Sequence, residues 1–244
     1  MNPAFSTIHN YSRSSPARSH TARVVQALGQ AIVAGRYEER MILPGDSVLM
    51  TEFGVSRTVL REALRTLSGK GLLKARARVG TMVQPHGDWH LFDPDVLIWH
   101  AEAGFSRDFL GALGEMRLAL EPQAAALAAD RRTERQLAML YACVERMAAP
   151  GVAKQEFVDA DLDFHLAVAE AAGNPFLSAV STLIEVALVA ALSRSWPGAI
   201  PAGTSMSAAK HRAIADAIAR RDGARAAEAM RLVINDGIAN AAAA

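Results

Sequence analysis

Residues 53–67 of the chain have the sequence FGVSRTVLREALRTL, a tight turn followed by a charged, amphipathic run. Arg57, Arg61 and Arg65 recur at every fourth position and therefore project from one side of a helix. The other side is apolar and consists of Val59, Leu60, Ala63, Leu64 and Leu67. Ser56 is a residue type preferred at a helix N-cap, so the sequence predicts that the helix begins just after it.

A shorter helix is predicted from Ser47 to Phe53, immediately before the turn at Gly54. Two helices joined by such a turn are typical of a helix-turn-helix, whose second helix enters the major groove of DNA. Arginines on that helix reach guanine edges or phosphates. The charge spacing by itself favours a solvated basic face on an ordinary helix. The turn before it and the sequence after it favour the helix-turn-helix.

Two short strands are predicted after this helix, from Leu72 to Ala77 and from Thr81 to Gln84, around Arg78-Val79-Gly80. The hairpin is basic at and before its tip, where it carries Lys74, Arg76 and Arg78. A helix-turn-helix followed by such a hairpin is a winged helix.

The composition indicates a mainly helical protein with two differently charged parts. Of the 244 residues, 51% are hydrophobic and only 6% are aromatic, which favours packed helices over a β-sandwich. Residues 1–84 hold 12 Lys and Arg against 5 Asp and Glu, whereas residues 85–244 hold 14 against 20. A basic front part and an acidic back part suggest a nucleic-acid-binding module joined to another domain.

The compartment is predicted from what the sequence lacks. Cys143 is the single cysteine, which excludes an intrachain disulfide framework and fits a reducing compartment. The chain has no run of 18 apolar residues and no apolar signal region at its N-terminus. These features predict a cytoplasmic protein with no membrane partner.

The predicted architecture is mostly α: a winged helix-turn-helix of three helices plus a β-hairpin wing, then an all-α antiparallel bundle of six to seven helices. The predicted parts are a flexible arm (1–18), a winged-helix DNA-binding domain (19–84), a linker (85–93) and an all-α domain (94–244). The helices of the all-α domain are predicted near 106–130, 134–148, 155–172, 175–195, 205–220 and 222–240. Glu121-Pro122 predicts a kink in the first of these.

Four polar side chains fall on the apolar stripes of these helices: Arg117, Asp161, His165 and His211. We expect them to point into one interior, where an arginine needs an anionic partner. Carboxylate oxygens and neutral imidazole nitrogens are ligands of first-row divalent metals. Asp161 and His165 are four residues apart, so they can bind one ion from one helix face, with His211 added from another helix. By spacing alone, each buried histidine is more often a hydrogen-bonded core residue.

The N-terminal motifs resemble one known family. The order Ile42-Leu43-Pro44-Gly45-Asp46, then GVSRTVLREAL, then KGLLKARARVGTMV is similar to the DNA-binding domain of GntR transcription regulators. The resemblance implies DNA contacts from Ser56, Arg57, Thr58 and Arg61 on the helix and from Gly80 and Thr81 in the wing. The row of arginines on the helix adds Arg65 as a further predicted contact. Many members begin the short helix with Glu-Arg-Glu and place its arginine on DNA. This chain has Asp46-Ser47-Val48 there, so that contact does not carry over.

The second part resembles the all-helical effector (FCD) domain of the FadR subfamily of this family. The segment FVDADLDFHLAVAEAAGNPFL, with His211 46 residues after His165, carries the likeness. It implies one divalent transition metal per chain (Zn, Ni or Mn), held by Asp161, His165 and His211. The family's fourth ligand position is Val233 here, so one ligand is missing.

The start of this part, WHLFDPDVLIWHAEAG, resembles the sugar-acid-responsive, galactonate-type repressors of the subfamily. That likeness implies a small carboxylate effector, a sugar acid or hydroxy acid, bound near Arg117, Asp161, His165 and His211, with Arg117 on its carboxylate. Residues 94–244 would then form an effector-binding and dimerisation domain.

These features together predict a regulator rather than an enzyme. We expect a repressor that binds a palindromic operator as a homodimer and is released or switched by the effector. One alternative is a metal-dependent enzyme that uses the Asp/His/His centre and has a fused DNA-binding domain, although no motif such as His-Glu-x-x-His supplies a general base. A second alternative is a structural nucleoid protein without an effector.

Overall fold

A computed structural model describes residues 19–181 and 204–243 of the chain. The chain divides into two compact units, the first ending at Gly104 and the second beginning at Phe105. The described residues are mostly helical, with one two-stranded antiparallel sheet in the first unit. The predicted mostly α fold with a hairpin wing is therefore confirmed. Within the described ranges, no helix is long and apolar enough to cross a membrane.

The first unit contains the predicted winged helix. Its elements are α1 (His20–Val33), α2 (Asp46–Phe53), α3 (Arg57–Gly69), β1 (Leu73–Arg76), β2 (Gly80–Val83), a 3-10 turn (His86–Asp88) and α4 (Pro94–Ala103).

The helix-turn-helix forms where the sequence predicts it, for local reasons. Gly54 ends α2 in the left-handed conformation, with φ of +62°, which glycine adopts without a steric cost. Ser56 then caps α3, and its hydroxyl accepts a hydrogen bond from the backbone N–H of Val59 at 3.4 Å. The apolar side of α3 is buried at Leu60, Ala63 and Leu67, with Val59 and Leu64 partly buried.

The wing is shorter than predicted but gains a third segment. β1 and β2 pair from Leu73↔Val83 to Arg76↔Gly80, and the ladder stops at Arg76 because Arg78 takes a positive φ of 63° in the tip. The backbone N–H of Leu43 donates to the carbonyl of Thr81 at 2.8 Å, so the stretch around Leu43 lies along the free edge of β2.

The first unit extends beyond the boundary predicted from the sequence. The stretch 85–93 is not an open linker, because Trp89 is buried in the winged-helix core and its indole N–H donates to the Gln84 carbonyl at 2.8 Å. Helix α4, predicted to begin the all-α domain, also belongs to this unit. Its Trp99 packs over Gly29 of α1 and is 3% exposed.

A partly buried ion pair fixes the start of α4. The ammonium of Lys70, at the end of α3, lies 2.8 Å from a carboxylate oxygen of Asp93 and 2.8 Å from one of Asp95. Burial would lower the pKa of Lys70, but the hydrogen bonds to Asp93 and Asp95 raise it, so the ammonium stays charged. The first unit therefore binds α4 through both apolar and charged contacts.

The second unit is helical throughout its described residues. It contains α5 (Arg107–Arg131), α6 (Glu134–Ala148), α7 (Lys154–Ala171), a helical stretch at 175–181, α8 (Thr204–Ala219) and α9 (Gly223–Ala243). Helix α5 packs against α7, α8 and α9, and α6 packs against α7 and α8. The remainder of the helix predicted over 175–195 and the loop that follows it lie outside the described residues.

The core of the second unit is unusually rich in small side chains. Ala124, Ala125, Ala128 and Ala129 of α5 are all fully buried, and Gly114 of the same helix lies directly against Ile238 of α9. Small residues allow helix axes to approach closely, since the interaxial distance depends on the side chains at the contact. Close packing here brings polar residues of α5, α7 and α8 together.

The contact between Gly29 and Trp99 gives a test of the extended first unit. A Cβ atom at Gly29 would lie less than 3.0 Å from three atoms of the Trp99 ring. We expect Gly29→Ala to lower the free energy of unfolding of this unit by about 1–3 kcal/mol through overpacking, as measured by denaturant titration.

The matched control is Gly69→Ala at the end of α3, where a Cβ would meet no atom within 4 Å. That substitution should leave the stability unchanged or raise it by about 0.5 kcal/mol, because it restricts the unfolded chain. Equal stability of the two variants would show that α4 does not pack on α1 in solution.

Candidate functional site

One face of α3 is a candidate surface for DNA. Arg57, Thr58, Arg61 and Arg65 are all exposed, opposite the buried residues of the same helix. The Arg61 side chain is 73% exposed, and its Nε lies 4.0 Å from Asp46 Oδ2. An exposed ion pair of this length contributes little to stability, so it does not prevent Arg61 from meeting a phosphate.

Ser56 has the capping role that the sequence predicts and can also face DNA. Its hydroxyl caps α3 while the residue itself remains exposed. The first turn of α3 contains no acidic residue. Its N–H groups and its arginines therefore present positive charge together, as anion binding at a helix N-terminus requires.

The wing residues predicted for DNA contact lie at the start of β2. Gly80 is exposed and has a φ of +123°, a conformation that side-chain-bearing residues rarely adopt. A Cβ there would also approach Ile42 to 3.0 Å. Thr81 is partly buried, and its carbonyl accepts from Leu43. The exposed basic residues of the wing are Lys74, Arg76 and Arg78.

The second unit brings three predicted metal ligands together in its interior. Asp161 and His165 lie one turn apart on α7, and His211 comes from α8. The Nε2 atom of His211 lies 3.1 Å from Asp161 Oδ1 and 3.4 Å from His165 Nε2. The three donor atoms all lie within 4.8 Å of one another. His165 and His211 are 3% and 1% exposed, whereas the Asp161 side chain is 25% exposed, so the two imidazoles are buried and the carboxylate is partly open.

The outer nitrogen of each imidazole has an acceptor beside it. His211 Nδ1 lies 2.8 Å from the Ser207 carbonyl, which can only accept a hydrogen bond. His165 Nδ1 lies 2.6 Å from Glu121 Oε2. With the protons on both Nδ1 atoms, the two Nε2 lone pairs and the Asp161 carboxylate converge on one point. A divalent cation fits that donor set, and a proton on His211 Nε2 is the other charge that would satisfy it.

Arg117 points into the same interior as predicted, and it carries an anionic partner. Its guanidinium meets both carboxylate oxygens of Glu121, with Nη2 at 3.2 Å from Oε2 and Nε on Oε1. Glu121 is 4% exposed. Burial would raise the pKa of Glu121, but Arg117 and His165 beside it lower that pKa well below the usual range. The carboxylate is therefore ionised.

Asp161 is held ionised in the same way. Burial would raise its pKa, but His211 and, less closely, His165 and Arg117 lower that pKa well below the usual range. An ionised carboxylate is the form that binds a metal ion.

Glu121 is the site residue that the sequence interpretation missed. The sequence interpretation used this position only to predict a kink at Pro122, through which α5 runs as one helix. The signal was present, since Glu121 follows Arg117 by four residues and shares its helix face. Val233, at the predicted fourth ligand position, is partly buried and packs against the apolar core.

Two family models match the chain. The model described as "Bacterial regulatory proteins, gntR family" matches residues 20–83, and the FCD domain model matches residues 112–236. The first covers the winged helix, and the second covers the cluster of Arg117, Glu121, Asp161, His165 and His211.

Relatives match over most of their length. The chain is 34% identical to the galactonate operon transcriptional repressor of Escherichia coli (strain K12), over 88% of this chain and 93% of that protein. It is 32% identical to the transcriptional repressor NanR of Klebsiella aerogenes, over 88% of this chain and 84% of that protein.

Solved structures show the same fold at lower sequence identity. The Listeria monocytogenes protein Lar has a TM-score of 0.61 and 20% identity, and covers 94% of this chain and 99% of its own. Escherichia coli McbR/YncC has a TM-score of 0.52 and 19% identity, and covers 92% of this chain and 98% of its own.

These family models and relatives are those of transcription regulators, which contradicts the enzyme alternative. The chain belongs to the GntR family of bacterial transcription regulators, with an FCD domain as its second, helical part.

Proposed function

We propose that this regulator is a repressor that binds a palindromic operator as a homodimer and is switched by a small carboxylate bound at a metal centre in the FCD domain. The observation that carries the proposal is the cluster of Asp161 with the buried His165 and His211, beside Arg117. The names of the two relatives, a galactonate operon repressor and the repressor NanR, support repression. Such a protein would act in the cytoplasm, where bacterial DNA lies.

DNA binding is assigned to α3 and the wing. The proposed contacts are those predicted from the sequence, with Arg57, Arg61 and Arg65 on phosphates or guanine edges and Ser56, Thr58, Gly80 and Thr81 beside them. The exposure of the α3 arginines supports this assignment. Two copies of one winged helix require two half-sites, which makes the operator palindromic.

The charge balance of the cluster supports a metal-dependent effector site. Arg117 contributes one positive charge, whereas Glu121 and Asp161 contribute two negative charges, so the metal-free cluster has a net negative charge when both histidines are neutral. A cluster that is negative, or uncharged once a proton lies on His211 Nε2, does not attract a carboxylate ligand. A bound divalent cation reverses the sign and leaves one positive charge, which a monocarboxylate then neutralises.

Substitutions on α3 test the DNA-binding surface. We expect Arg57→Ala or Arg61→Ala to weaken operator binding by about 10- to 100-fold each, because each removes a charged contact of about 1–3 kcal/mol. Binding would be measured by fluorescence anisotropy at physiological salt, on duplexes selected by the wild-type protein from a random pool. The control is Arg135→Ala, an exposed arginine on α6, which should bind as wild type. Wild-type affinity in both α3 variants would exclude this face.

Metal analysis tests the centre. Protein purified without a His-tag should contain about one divalent ion per chain, and His165→Ala or His211→Ala should lose it, because each removes one of three ligands. His90→Ala, at an exposed position in the first unit, should retain the metal. No ion bound after supplementation with zinc, nickel and manganese in turn would refute the centre.

Removal of the metal tests the effector proposal. We expect a sugar acid or hydroxy acid to raise the Tm of the metal-loaded protein and to leave the chelator-stripped protein unchanged, for the electrostatic reason given above. At 100 times its Kd the ligand should add about 2.7 kcal/mol to the stability. The matched control ligand is the corresponding neutral sugar, which should shift neither form. Equal shifts with and without metal would contradict the mechanism.

A further inference from the structure

Glu121 contacts two groups with one carboxylate. Oε1 accepts from Arg117 Nε, while Oε2 lies 3.2 Å from Arg117 Nη2 and 2.6 Å from His165 Nδ1. Glu121 and Arg117 belong to α5, whereas His165 belongs to α7. The carboxylate therefore joins two helices at the position where the proposed metal centre begins.

The contact with Glu121 determines which nitrogen of His165 carries the proton. An ionised carboxylate only accepts hydrogen bonds, and two lone pairs cannot face each other at 2.6 Å. The contact therefore favours the neutral form of His165 that has its proton on Nδ1. Its Nε2 is left with a lone pair, and this is the atom that lies 3.4 Å from His211 Nε2.

Arg117 is what allows Glu121 to fulfil this role. A carboxylate that is 4% exposed would be very costly in its ionised form without a cation. The paired contacts of the guanidinium offset that cost and also fix the plane of the carboxylate. A neutral Glu121 could donate a proton to His165 Nδ1 and would allow the other tautomer.

His211 has an equivalent partner of a different kind. Its Nδ1 faces the Ser207 carbonyl, which belongs to the backbone of its own helix and cannot be removed by side-chain substitution. The tautomer of His211 is thus determined by the fold of α8. The tautomer of His165 depends on one replaceable side chain.

We propose that Glu121 is a positioning residue of the metal centre, which holds His165 in the Nδ1–H tautomer so that its Nε2 can bind the ion, with Arg117 fixing Glu121. This inference rests on the metal centre of the proposed function. Carboxylates that hydrogen-bond a metal-binding histidine fix the orientation of its ring and raise its basicity.

The test compares metal affinity in Glu121→Gln, Glu121→Ala and wild type, by competition with a chromophoric chelator for zinc. Loss of such a partner typically lowers metal affinity by about 10- to 100-fold. We expect Glu121→Gln at the low end of that range, because its amide carbonyl can still accept from Nδ1–H. Glu121→Ala should lie at the high end. The control is Glu115→Gln, an exposed glutamate on the same helix, which should bind zinc as wild type.

A second measurement needs only the wild-type protein. Nitrogen-15 chemical shifts of the histidine rings distinguish the two neutral tautomers, and metal-free His165 should be the Nδ1–H form at neutral pH. The Nε2–H form would overturn the positioning role even if the Glu121 variants fail to fold.

The outcomes separate the two proposals. Unchanged zinc affinity in both Glu121 variants, beside lost binding in His165→Ala, overturns the role of Glu121 and leaves the metal centre standing. Absence of metal binding in wild type overturns the centre and this role together. An unchanged Tm of the metal-free variants, with reduced zinc affinity, supports positioning rather than a purely structural effect.

Discussion

The polar cluster inside the FCD domain is arranged around a single buried charge, the carboxylate of Glu121. Transfer of an ion of this size from water into a protein interior costs several kcal/mol unless a partner compensates it. Arg117 provides that compensation from the same face of the same helix, and His165 Nδ1 lies against Oε2, which Arg117 Nη2 also contacts. The three groups therefore depend on one another. Arg117 keeps Glu121 ionised, and the ionised Glu121 sets the tautomer that we propose for His165, so α5 and α7 must pack with all three in place.

Features governed by neighbouring residues could be predicted from the sequence. The Ser56 cap, the Gly54 turn and the buried side of α3 follow from spacing within one helix and lie as predicted. Asp161 and His165 share a face because they are four residues apart, and the apolar stripe of α8 placed His211 toward the same interior. Each of these inferences needed only the helical period.

Features governed by the choice of packing partner could not be predicted in the same way. The ion pair of Arg117 and Glu121 is local, but the contact from Glu121 to His165 requires that α5 and α7 lie side by side. Helix α4 was assigned to the wrong unit for a similar reason. The apolar residues of this helix that are buried are Val96, Leu97, Trp99 and Ala101. Their pattern in the sequence predicts a buried face but does not indicate which helix covers it.

The placement of α4 affects how such regulators can be recombined. Consider a chimera that joins the winged helix of this chain to a foreign effector domain at residue 84 or 93. Either cut would keep all the residues that the gntR family model matches, but it would remove Trp99 from its contact with Gly29. It would also take Asp95, and with the earlier cut Asp93 as well, from Lys70. The module that can be exchanged intact is the one ending at Gly104, which carries α4 with it. The best position at which to join a foreign domain is therefore Gly104, which lies outside the residues that either family model matches.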